Sequence, residues 1–91
     1  MKKIIDLDMD DFAGVLYAKV RGKEPKYSKE LKEDPELVIS FDSQGSIVGA
    51  ILLCASELSL NDWMSNPGRT KFPQDLRKAL DEWFSSKNTV H

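Results

Sequence analysis

Four aspartates, Asp6, Asp8, Asp10 and Asp11, stand close together near the start of the chain. Carboxylates spaced as Asp6-x-Asp8-x-Asp10 open a calcium-binding loop, which then needs Gly at its sixth position and Glu at its twelfth. Asp11 and Tyr17 occupy those positions here, so the motif is broken. No metal site is expected, and Asp8, Asp10 and Asp11 are the candidates that remain. The simpler reading places Asp6 and Asp8 on the solvent face of a strand and Asp10–Asp11 in its turn. No cofactor is expected.

Nucleophilic chemistry has little to work with. His91 is the only histidine and the last residue, so a Ser–His or Cys–His pair would depend on a chain end. Cys54, the only cysteine, falls in a strongly apolar run, as a packed structural cysteine does. One cysteine cannot form an internal disulfide. The glycines are scattered and match no phosphate-binding loop. The chain therefore reads as more an interaction protein than an enzyme.

The basic stretch Lys19, Arg21, Lys23, Lys26, Lys29 and Lys32, with Tyr27 inside it, could touch nucleic acid. Glu24, Glu30, Glu33, Asp34 and Glu36 interrupt or follow it, and the isoelectric point is near 5.3. That balance lacks the basic footprint of a nucleic-acid binder, so a solvated connection is expected and no nucleic-acid partner. No apolar run is long enough to span a bilayer. Met1-Lys2-Lys3-Ile4-Ile5-Asp6 has no apolar core of a signal peptide, so the expectation is a cytoplasmic protein.

These residues must be held by a small frame. The 91 residues, 41% of them hydrophobic and 31% charged with net charge −2, fit one globular domain spanning 1–91, with a radius of gyration of roughly 12 Å. Its sheet region covers 4–56 and its helical tail 57–87.

Residues 4–9 alternate, with Ile5, Leu7 and Met9 on one face. A hairpin turning at Asp10–Asp11 would set Met9 opposite Phe12, Leu7 opposite Gly14 and Ile5 opposite Leu16. A second hairpin joins Leu37, Ile39 and Phe41 to the run from Ile47 to Ala55. Its loop, Ser43-Gln44-Gly45, has Gly at the left-handed position of a three-residue connection. That register pairs Phe41 with Ile47, Ile39 with Gly49 and Leu37 with Ile51. It leaves Val15, Tyr17, Val38, Val48, Ala50, Leu52 and Cys54 on a second apolar face.

Ser59-Leu60-Asn61-Asp62 reads as a capping box opening a short helix with Trp63 and Met64, closed by Asn66-Pro67-Gly68. A second helix starts near Pro73 and carries Leu76, Ala79, Leu80, Trp83 and Phe84 on one stripe, fraying after Ser86. Arg77–Asp81 and Lys78–Glu82 are i,i+4 pairs on its other side. The expected fold is α+β: a four-stranded antiparallel β-meander followed by two C-terminal α-helices packed on the sheet.

Two motifs carry a family resemblance. Val15-Leu16-Tyr17-Ala18-Lys19-Val20, preceded by acids, is one. Asp42-Ser43-Gln44-Gly45-Ser46-Ile47-Val48-Gly49-Ala50-Ile51-Leu52, closing on Ala55-Ser56, is the other. Over residues 4–56 the chain resembles the small bacterial domain of unknown function 2283. The family pattern has an acid where Gly14 stands and usually a Glu where Ile51 stands, so any activity carried by those acids would be missing here. The resemblance implies a small β-rich bacterial domain. Some members sit near toxin-like genes, which implies an antitoxin-like partner role.

A second apolar face on so small a domain calls for cover. The expectation is a homodimer, with a further small protein as a second partner and interface residues Tyr17, Val38, Leu52, Trp63, Trp83 and Phe84. The aromatics among these have a competing reading as the core beneath the helices. The alternative function is a small-ligand or metal-binding protein, or an enzyme, using the cluster Asp6–Asp11. Whether the helices pack on their own sheet or on a partner's is left open by the sequence.

Overall fold

A computed structural model describes residues 4–31 and 36–89. Met1, Lys2, Lys3, Lys32, Glu33, Asp34 and His91, all named above, lie outside the described residues. The strands are β1 (Ile5–Asp10), β2 (Val15–Val20), β3 (Tyr27–Glu30), β4 (Leu37–Phe41) and β5 (Ile47–Leu52). Short 3-10 turns follow at Ala55–Glu57 and Pro67–Lys71, alternating with helices α1 (Leu60–Met64) and α2 (Gln74–Thr89). The fold is α+β, an antiparallel sheet with two C-terminal helices, and the radius of gyration is 12.5 Å.

Among the described residues the sheet has five strands, not four, and it is not a meander. Its order is β1-β2-β5-β4-β3, every neighbouring pair antiparallel. The added strand is Tyr27–Glu30, inside the stretch expected to be a solvated connection. It is short, exposed along its whole length and lies at the outer edge. Tyr27 stacks on Phe41 with ring centroids 5.1 Å apart, and Ser28 Oγ lies 3.2 Å from Ser40 Oγ. Because β5 lies between β2 and β4, residues 21–26 must carry the chain from β2 past β5 and β4 to reach that edge.

The first hairpin turns later than expected. Asp10 pairs with Val15, Met9 with Leu16, Leu7 with Ala18 and Ile5 with Val20. The shift is even, so the apolar sides still coincide. The turn is built by Asp10, whose Oδ1 accepts from the amides of Phe12 and Ala13, and by Gly14, which donates to the Asp10 carbonyl at 2.7 Å with φ of +73°. A left-handed backbone at Gly14 ends the turn without a Cβ penalty. Phe12, expected within a strand, instead stands fully exposed at the tip.

The second hairpin holds a larger correction. Asp42 Oδ1 accepts from the amides of Gln44 and Ser46, and Gly45 is left-handed, as a three-residue loop requires. Phe41 pairs with Ile47, but Ser40 pairs with Gly49, so Val48 is an extra residue, a β-bulge. Beyond it Ile39 faces Ala50, Val38 faces Ile51 and Leu37 faces Leu52. One inserted residue exchanges the two faces of β5: Ala50 and Leu52 enter the core, while Gly49 and Ile51 take the opposite side.

The core lies between that face and the helices. Leu16, Ala18, Leu37, Ile39, Ala50 and Leu52 from the sheet cluster with Trp63, Phe72, Leu76, Leu80 and Phe84. The rings of Trp63 and Phe84 stack at 5.5 Å, and Trp83 meets Phe84 edge-on at 4.8 Å. The capping box at Ser59 is complete, Asp62 N–H donating to Ser59 Oγ and Ser59 N–H to Asp62 Oδ2. Asp81 makes its close ion pair with Arg69 rather than with Arg77: Arg69 Nη2 approaches its Oδ2 at 2.7 Å, while Trp63 Nε1 donates to Oδ1. Helix α2 runs past Ser86 to Thr89, and Lys87 Nζ donates to the carbonyls of Ala55, Ser56 and Leu58.

Candidate interaction surface

Helices cover one face of the sheet, and strand alternation fixes what lies on the other. Val15, Tyr17 and Lys19 come from β2, Gly49 and Ile51 from β5, and Val38 and Ser40 from β4. Asp6, Asp8 and Asp10 form its outer margin on β1. Tyr17 is 44% exposed, while Val15, Val38 and Ile51 are half-buried.

At one end of this open face Gly49 leaves a gap in the layer of side chains. The resulting open depression holds about 200 Å³ and is lined by Tyr17, Lys19, Pro25, Ser40, Gly49 and Ile51 among others. Pro25 arrives from the connection between β2 and β3. Gly49 is required there by close approach, because a Cβ would lie 2.8 Å from the Ala18 carbonyl oxygen. The bulge and the glycine thus build the depression together: the bulge turns position 49 outward, and the glycine leaves it empty.

The aspartates are distributed along β1 and its turn, not gathered at one point. Asp6 forms an ion pair with Arg21, whose guanidinium donates to both its oxygens and holds its carboxyl below the usual carboxylate range. Asp10 accepts the two turn amides, while Asp8 and Asp11 are exposed. Among the described residues no group of three or more His, Cys, Asp or Glu side chains could hold a metal ion. Cys54 is half-buried in the turn after β5, beyond the end of the strand expected to contain it.

Of the residues expected at an interface, Tyr17, Val38 and Trp83 retain some surface. Leu52, Trp63 and Phe84 do not: they are 2%, 0% and 0% exposed, within the core. For Leu52 the reason is the bulge. For Trp63 and Phe84 it is the packing of both helices on their own sheet. Reading the sequence missed Gly49, Ile51, Pro25 and the tip residue Phe12 as surface features. The signal for Phe12 was available in Asp10 and Gly14, a side-chain acceptor and a left-handed glycine four residues apart. No helix among the described residues is long and apolar enough to cross a membrane. No family model, curated protein or solved structure matches the chain.

Proposed function

We propose that this chain is a non-catalytic interaction module that forms a homodimer through the open face of its sheet, with antitoxin-like capture of a second small protein as its wider role. The observation that carries the reading is Tyr17, exposed in the middle of a strand, beside an apolar depression and flanked by half-buried Val15, Val38 and Ile51. Tyrosine supplies a large contact area at low entropic cost, and interface anchors are enriched in it. The commitment of Asp6 and Asp10 to an ion pair and a turn disfavours the ligand-binding or enzymatic alternative. The resemblance to the bacterial domain of unknown function 2283 over residues 4–56 fits a partner-binding role.

Sedimentation equilibrium tests this. The wild-type chain is expected to dimerise, and Tyr17→Ser to weaken the dimer by about tenfold, equivalent to about 1.4 kcal/mol. A monomer at all concentrations up to the high micromolar range overturns the homodimer, and an unaffected Tyr17→Ser dimer overturns the choice of face.

A further inference from the structure

Resting on that reading, we infer that the tip of the β1–β2 hairpin is the anchor of the dimer: Phe12 of one copy occupies the depression above Gly49 of a second copy, and the exchange is reciprocal. Phe12 is 102% exposed, so its ring packs on nothing among the described residues. It projects from a turn that Asp10 and Gly14 hold in shape. An exposed phenyl on a well-formed turn is a costly surface in water and a low-entropy anchor for an interface. The depression has the matching size. Its 200 Å³ or so compares with the roughly 150 Å³ of an apolar cavity that takes up benzene.

Charge selects a second copy as the occupant. The tip carries Asp11 next to Phe12, with Asp8 and Asp10 behind it on β1. The far end of the same face carries Lys19 on the rim of the depression, across from Asp6, and Pro25 from the connection that also holds exposed Lys23, Glu24 and Lys26. Arg21 at that end is already engaged by Asp6. The face is therefore acidic at the hairpin tip and basic beside the depression. Two such faces attract each other when stacked head to tail about a two-fold axis crossing the strands, and repel when stacked head to head. Along β2 the base of the turn at Val15 and Lys19 on the rim of the depression are about 13 Å apart, four residues at strand rise, and the tip lies beyond Val15. Each copy can thus give its tip and receive its partner's at separate places.

The test uses the full chain and sedimentation equilibrium, with circular dichroism confirming the fold of each variant. Phe12→Ser removes no packing among the described residues and is expected to weaken the dimer by roughly thirtyfold, the loss of a buried aromatic anchor. Asp11→Lys and Lys19→Glu are each expected to weaken it, and the double variant to recover at least half of the loss on a logarithmic scale. Dimerisation of Phe12→Ser at wild-type strength, with Tyr17→Ser still weakened, overturns tip docking and leaves the open-face dimer standing. A double variant no better than the worse single variant also overturns it. A wild-type chain that stays monomeric overturns both.

Discussion

Asp81 shows how a single side chain joins three elements. Arg69 donates to both of its oxygens from the 3-10 turn, and the buried Trp63 indole donates from α1. The Arg69 hydrogen bonds, helped by Trp63 and by the nearby charge of Arg77, hold its carboxyl below the usual value of 3.8 against the effect of partial burial. A lowered folded value means that the carboxylate form favours the fold. Its contribution is complete above the unfolded value near 3.8 and is lost as pH falls through the folded one. Asp81→Ala leaves the Trp63 N–H buried without its acceptor, and is expected to destabilise the protein by about 1–3 kcal/mol at neutral pH. Urea titrations should also show a shallower fall in stability below about pH 4 than the wild type has, because one coupled carboxylate is gone. Near the C-terminal end of α2, Lys87 closes on three carbonyls of the Ala55–Leu58 segment.

At the scale of elements the bulge in β5 decides most. Without Val48 as an extra residue, Ala50 and Leu52 would face away from the helices, and Ile51 would enter the core in their place. Gly49 then permits the close pairing with β2. Gly49→Val would push a branched side chain toward the Ala18 carbonyl and fill the depression. The expected cost is about 1–3 kcal/mol in thermal or urea unfolding, the usual range for overpacking. Both hairpins, both helices and the capping box at Ser59 could be read from alternation, helical spacing and turn chemistry, because those signals are local. The strand order could not, since nothing in the composition of β2 states that β5 rather than β4 lies beside it. The bulge was also hidden, because Ile47 to Leu52 is almost uniformly apolar and fits either register. Tyr27–Glu30 carried too little apolar character to be distinguished from a connection. The site followed the same division: Tyr17 and Val38 were legible from alternation, while the depression depends on the register that the bulge sets.

For the whole molecule the consequence is a sheet with one face under helices and one face open. The bulge reduces the apolar content of the open face by moving Ala50 and Leu52 inward, and what remains is compact: Tyr17, Ile51, Val38 and Val15 around the Gly49 depression. Acidic residues at the hairpin tip and lysines beside the depression give that face a polarity along the strands. Such a surface suits an isologous pair, since two-fold symmetry brings each end against its opposite. Salt should weaken the proposed pair through its charged margins: raising ionic strength from 0.01 to 1 M shortens the screening length from about 30 to about 3 Å. Isotope-filtered NMR on an equal mixture of labelled and unlabelled chains separates the two sides of the sheet. Tip docking across the open face gives intersubunit cross-peaks from the Ile51 and Val38 methyl groups to Tyr17 and Phe12 of the other copy. It is contradicted if no intersubunit peaks appear at high micromolar concentration, or if they arise only from the helical side, at Trp83 and its neighbours on α2.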